Sequence, residues 1–256
     1  EVWFGQCKLA PADCTAILHL LKNRDEKFTL YLGFNLMGDL GCMEIKKWIV
    51  KSNCMGLDLT HNNIGEKGVE YLCDTLKLEN CNLTVLVLDG NHIGDKAAEL
   101  LSTAIKDGNC KLTRLNLKRT KIGVKGVEHL KDALKCVNNN LTELYLAYND
   151  IGDEGAKYLS DSLKCENCKL TVLKLRQDYL GDKGAEHLSN ALKDVKCKLS
   201  ALNLRGNIIG AKGAEVLSDA LKDKNCYLTM LVLGDNNVGD KGAELLRDSL
   251  KCAKCE

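Results

Sequence analysis

The chain has 256 residues, 45% hydrophobic and 28% charged, the balance of a soluble globular protein with material for a sizeable core. Lysine and arginine number 36 against 35 acidic residues, and a formal charge of +1 argues against a general polyanion or nucleic-acid binder. No apolar run approaches the ~18 residues of a membrane span, no signal-peptide pattern opens the chain, and with Pro11 the single proline there is no linker composition.

The elements recur along the chain. A truncated unit occupies residues 1–24 and a shorter one runs from about Asp25. A third starts at Ser52, with Cys54 where later units carry their first leucine. From there the period is 29 residues, with copies beginning at Cys81, Cys110, Asn139, Cys168, Cys197 and Cys226. About nine repeats, the first and last incomplete, form one domain over residues 1–256. The chain opens on Glu1-Val2-Trp3 without an initiator Met and stops at Cys252–Glu256, where a tenth repeat would begin, so a fragment of a longer protein is expected.

The first half of each unit alternates with the period of a strand: Leu86 and Leu88 to one side, Val85, Val87 and Asp89 to the other. The second half has helical period, with Ala97, Leu100, Leu101 and Ile105 on one stripe. Gly94, Gly123, Gly152, Gly181, Gly210 and Gly239 mark the bend between the halves. Asn35, Asn62, Asn91, Asn149, Asn207 and Asn236 fall where strand turns into helix, a place where an inward amide can satisfy backbone groups of its own turn and its neighbour's. Cys7, Thr120 and Asp178 stand at that ladder position in the other units. One unit cannot bury its own apolar face, so stacking must supply the core.

The unit C-x-L-T-x-L-x-L-x-x-N-x-I-G-D-K-G-A-E-x-L-S-x-A-L-K resembles the ribonuclease-inhibitor-like class of leucine-rich repeats, found in ribonuclease inhibitor and in the sensor ends of NOD-like receptors. The likeness covers essentially the whole chain, and the opening VWFGQCKLAPADC resembles the cysteine-variant repeat of that class. It implies an α/β fold, a right-handed horseshoe solenoid with a parallel sheet on the concave face and helices on the convex face. It implies protein recognition as the role.

Fourteen cysteines raise the question of disulfides or zinc. Cys81, Cys110, Cys168, Cys197, Cys226 and Cys255 share one repeat position, as packing requires. The pairs Cys165-Cys168 and Cys252-Cys255 look like zinc half-sites, but three repeats at ~4.8 Å put them ~14 Å apart or more, far beyond the reach of ~2.3 Å Zn–S bonds. Many reduced cysteines point to a reducing, cytoplasmic compartment. The sequons at Asn82 and Asn140 point the other way, yet the repeat itself demands Leu-Thr there. No nucleotide-binding loop, nucleophile elbow or H-E-x-x-H is present, and His19, His61, His92, His129 and His187 have no catalytic partner in view. No catalytic residue, metal or cofactor is expected.

With scaffold positions assigned, the concave-facing positions remain. Their centre carries Arg114, Lys118, Arg119, Lys174 and Arg176 with Tyr145 and Tyr148, flanked by Arg205. Arginine and tyrosine are enriched at binding hot spots, so a protein partner with an acidic surface, or an anionic ligand, is expected there. The competing expectation is an ordinary solvated sheet face, which also carries charge. Tyr31 and Phe34, with Trp3, make a second, aromatic candidate near the N-terminal edge. The leading functional expectation is the ligand-sensing or autoinhibitory repeat region of a NOD-like receptor. The alternatives are a free-standing enzyme inhibitor, or an effector or regulator of a small GTPase.

Overall fold

A computed structural model describes residues 1–21 and 25–250, the side chain of Leu250 excepted. Among these residues strand and helix alternate nine times: β1 (Val2–Trp3), α1 (Pro11–Leu20), β2 (Phe28–Tyr31), α2 (Gly38–Ile49), β3 (Cys54–Asp58), α3 (Glu66–Leu76), β4 (Val85–Val87), α4 (Gly94–Ile105), β5 (Arg114–Asn116), α5 (Val124–Leu134), β6 (Glu143–Tyr145), α6 (Gly152–Leu163), β7 (Val172–Lys174), α7 (Asp182–Leu192), β8 (Ala201–Asn203), α8 (Ala211–Lys222), β9 (Met230–Val232) and α9 (Gly239–Leu250). The strands form one parallel sheet in chain order, with equivalent residues paired: Leu86 opposite Leu115, Leu115 opposite Leu144, Leu144 opposite Leu173. Strands stack at about 4.8 Å, whereas packed helices need about 10 Å. The stack therefore bends with the sheet inside, and the sheet's outer side is the concave face.

The core lies between the layers. The central strand leucine, the leucine two residues on and the helix stripe are buried in unit after unit, as with Leu86, Leu88, Ala97, Leu101 and Ile105. The cysteines opening the units at Cys81, Cys110, Cys168 and Cys197 are buried and free. Burial pushes their thiols up, for Cys197 to about 11. At the same position Asn139 accepts the Leu141 N–H, at 2.9 Å. Cys252 and Cys255 lie outside the described residues.

Three polar columns tie the units together. In the first, Asn91, Asn149 and Asn207 each collect two N–H groups of the preceding unit and donate to a leucine carbonyl in each unit. Asn207 Oδ1 takes Asp178 N–H and Leu180 N–H, both at 3.0 Å, and its Nδ2 donates to Leu175 O and Leu204 O. The substituted positions behave differently. The Thr120 hydroxyl donates to its own Leu117 O at 2.6 Å and lies 3.4 Å from Asn149 Oδ1 of the following unit, but offers nothing to the preceding one. Asn91 N–H, lacking an amide above it, turns back to Leu88 O. Asp178 Oδ1 accepts the Asn149 N–H at 2.7 Å, but Oδ2 is buried with no partner among the described residues. Burial pushes this carboxyl up to about 9, so at neutral pH it is a neutral acid. Cys7 receives the ladder bond from its neighbour, donating its N–H to Asn35 Oδ1, but its side chain is exposed at the end of the stack.

The second column is threonine: Thr113, Thr142 and Thr171 each place N–H and hydroxyl on the carbonyl of the equivalent residue one unit earlier. The sequon threonines Thr84 and Thr142 belong to it, which is why the repeat demands them. The third runs along the helices, where Ser102, Ser160 and Ser189 donate to His129 O, His187 O and Val216 O of the next helix. His129 and His187 therefore serve this column through their backbone, their side chains half-buried on the helix layer.

Candidate protein-binding face

Four columns of side chains cover the concave face. From β4 to β9 the first and third residues of each strand project from it, and along the whole sheet so do the residues two and three places beyond the strand. The last of these columns holds Gln6, Phe34, His61, Gly90, Arg119, Tyr148, Gln177, Gly206 and Asp235, and all nine have positive φ, between 47° and 71°. A left-handed conformation costs an L-residue roughly 1–2 kcal/mol, and Gly90 and Gly206 show that glycine suits the turn. The fold itself gains nothing from Arg119 or Tyr148 here.

The sheet brings the sequence candidates into distinct groups. Arg114 and Glu143 are register partners across β5 and β6. Arg114 grips the Glu143 carboxylate with Nε and Nη2, both at 2.6 Å. That pairing lowers the Glu143 carboxyl below its usual range. The Tyr145 hydroxyl donates to the same carboxylate. Burial, then this bond to Glu143, pushes the Tyr145 phenol up to about 12. Lys118 pairs with Asp89 at 3.0 Å, and Arg205 with Asp235 at 2.7 Å, away from the centre. Three of the cations are thus neutralised within the sheet.

Arg119, Lys174 and Arg176 have no ion pair among the described residues. Arg119 and Arg176 lie over the Tyr148 ring, with Cζ 4.4 and 5.2 Å from its centroid, and Lys174 Nζ lies 3.9 Å from that of Tyr145. Arg176 Nε is buried and makes no hydrogen bond among the described residues. Cation–π contact supplies about 0.5–2 kcal/mol but leaves guanidinium donors open. Beside this group a cleft of about 330 Å³ lies between Tyr148, Gln177, Tyr179 and Ile208. Tyr31 and Phe34 are not part of it; they lie at the N-terminal end of the face, where Trp3 stacks on Tyr31 at 3.8 Å and Phe34 on His61 at 4.9 Å.

Sequence reading missed the neutralising pairs. Their signal was present: Arg114 and Glu143, like Asp89 and Lys118, are one period of 29 residues apart, so an in-register parallel sheet must set them side by side. It also missed Tyr179 beside the cleft, which no composition rule singles out.

A sequence model described as "Leucine Rich repeat" matches residues 57–73, 79–102, 108–131, 137–160, 195–218 and 224–246, more than half of the chain. The chain belongs to the leucine-rich-repeat family. Among curated proteins, this leucine-rich-repeat chain is 31% identical over 119 residues to NACHT, LRR and PYD domains-containing protein 3 of Bos taurus, a match covering 35% of the chain and 12% of that protein. The protein of the same name in Homo sapiens is 29% identical over the same length and shares. The chain thus spans about 12% of the length of the curated relatives it matches. Of solved structures, leiomodin-1 actin-binding site 2 aligns with a TM-score of 0.48 and 21% identity, over 58% of this chain and 87% of that one. An internalin from Listeria monocytogenes aligns with a TM-score of 0.41 and 17% identity, over 90% and 73%. At this level the leucine-rich-repeat chain is a protein-binding module similar to the repeat region of NACHT, LRR and PYD domains-containing protein 3. Among the described residues no helix is long and apolar enough to cross a membrane.

Proposed function

We propose that this chain is the ligand-sensing or autoinhibitory repeat domain of a cytoplasmic NOD-like receptor, not an enzyme, and that the centre of its concave face binds an acidic surface of a protein partner. The observation that carries the reading is the uncompensated group of Arg119, Lys174 and Arg176 on Tyr148 and Tyr145, in a sheet whose other central cations are matched by carboxylates. Holding like charges together without counter-ions is unfavourable in the free protein. A carboxylate-bearing partner relieves that repulsion and takes the open guanidinium donors bidentately. Left-handed Arg119 and Tyr148, where glycine would serve the fold, support the same site. The similarity to NACHT, LRR and PYD domains-containing protein 3 supports the receptor setting.

The test is fluorescence-anisotropy titration of a labelled glutamate-rich peptide against the 256-residue chain and its Arg119→Ala/Tyr148→Ala/Arg176→Ala variant. Salt-sensitive binding that falls at least tenfold in the variant, with its thermal unfolding unchanged, is the expected result. Unchanged affinity in a folded variant overturns the site. The receptor setting is tested separately: a nucleotide-binding P-loop encoded upstream in the same gene supports it, and its absence counts against it.

A further inference from the structure

At the N-terminal end the face has a different character. Between the column Trp3–Tyr31–Asp58 and the column Gln6–Phe34–His61 lies a trough of about 320 Å³. Its floor is backbone: the residue two places beyond the strand is Gly5 in the first unit and Gly33 in the second. The equivalent positions further on hold Thr60, Asp89, Lys118, Ala147, Arg176, Arg205 and, at the far end, Gly234, so two adjacent glycines occur at this end of the face. A Cβ on Gly5 would meet Gly33 O at 3.3 Å, and one on Gly33 would meet Thr60 Cβ at 3.4 Å, so the two glycines keep the trough open.

The walls are apolar and poorly covered, with Trp3 65% and Phe34 55% exposed. Phe34 holds a left-handed φ of 59° while contributing no buried surface to the core. At the far end stands Asp58. Both hydrogen bonds its carboxylate accepts, from Thr60 N–H and Thr60 Oγ1, fall on Oδ1. Among the described residues its Oδ2 has no donor and Asp58 is in no ion pair. A trough with apolar walls, a floor without side chains and one uncompensated carboxylate matches a side chain with a long aliphatic stem and a cationic head.

We infer that the trough between Tyr31, Phe34 and Asp58 binds an arginine or lysine side chain of a protein partner, its stem along the aromatic rings and its charge on Asp58. The inference does not rest on the basic centre of the face. Together the two sites would make the face bipolar, selecting a partner with a basic residue about 10–20 Å, two to four strand spacings, from its acidic one.

The test uses N-acetyl-arginine amide as probe, followed by NMR of the 256-residue chain, with the buried Trp48 indole as internal control against Trp3. The expected result is a saturable shift of the Trp3 indole N–H and the Gly33 and Thr60 amides. N-acetyl-glutamate amide and N-acetyl-leucine amide should not reproduce it. Asp58→Asn, which keeps an oxygen for Thr60, should weaken the effect about three- to fivefold, the range of one partly exposed ion pair. Phe34→Gly, which relieves the left-handed strain, should weaken it too, whereas Arg119→Ala/Arg176→Ala should leave it unchanged. No saturable shift, equal shifts with the leucine probe, or an affinity unchanged in Asp58→Asn would overturn the inference.

Discussion

Asp153 at the start of α6 caps the next helix rather than its own: Oδ1 accepts the N–H of Gly181 at 2.7 Å and of Gly184 at 2.9 Å, both one unit later. Asp39, Asp95 and Asp182 hold Gly65, Gly123 and Gly210 in the same way. Each capped glycine is extended, with φ between −107° and −96°. Where the equivalent residue is Glu66, Val124 or Ala211, the following Gly94, Gly152 or Gly239 turns left-handed, at 60–69°. A carboxylate one bond shorter than glutamate, one unit away, decides the backbone at the bend.

Two classes of glycine follow from this. Gly152→Ala should destabilise by about 1 kcal/mol through backbone strain alone, since a Cβ there meets nothing within 4 Å. Gly181→Ala should stay within about 0.5 kcal/mol of the parent, and Asp153→Ala should cost about 1–2 kcal/mol as a lost cap. Urea unfolding of the three variants ranks them.

Asp178→Asn restores the ladder amide. The sign of its pH dependence follows from burial: with the native carboxyl raised to about 9, the folded chain keeps a proton that the unfolded chain releases near its ordinary value of 3.8. The native state is favoured at low pH and loses that advantage as pH rises toward 9. The variant should be more stable by about 1–3 kcal/mol at pH 8 and less so at pH 5, read from unfolding midpoints at both pH values.

Arg119→Gly separates scaffold from face. Relief of the left-handed strain, set against a freer unfolded chain, should leave stability unchanged or raise it by up to about 1 kcal/mol. Binding of the glutamate-rich peptide should weaken in the same variant. Loss of both stability and binding would mean that Arg119 serves the fold.

Thiol chemistry should divide the cysteines. Among the described residues Cys7 is exposed, while burial holds Cys54 and Cys73 at about 12. Iodoacetamide at pH 8 should therefore modify Cys7 within minutes, and Cys54 and Cys73 only as fast as the chain unfolds. Mass spectrometry of timed samples gives the rates.

The units, their leucines and the asparagine positions are legible in the sequence because stacking forces every copy to meet the same neighbours. Which cations are spent within the sheet is not legible while strand positions are read one unit at a time; Arg114 is understood only beside Glu143. The left-handed column is hidden for another reason. Only Gly90 and Gly206 announce it, while Phe34, Arg119 and Tyr148 adopt it under the constraint of the units on either side. The ladder departures were visible, but that Thr120 opens the column and Asp178 carries a proton needed the hydrogen bonds themselves.

The in-register pairing of Arg114 with Glu143 bears on how such a chain can change. Excising residues 139–167, one period, would leave the leucines and helices in register. It would also set Arg114 beside Val172 and Thr120 beside Asp178, two non-amide rungs in succession. The leucine core reads alike in every unit, but the surface is written in one order. Gene-level gain or loss of a single unit would thus be a change of specificity before it was a change of fold.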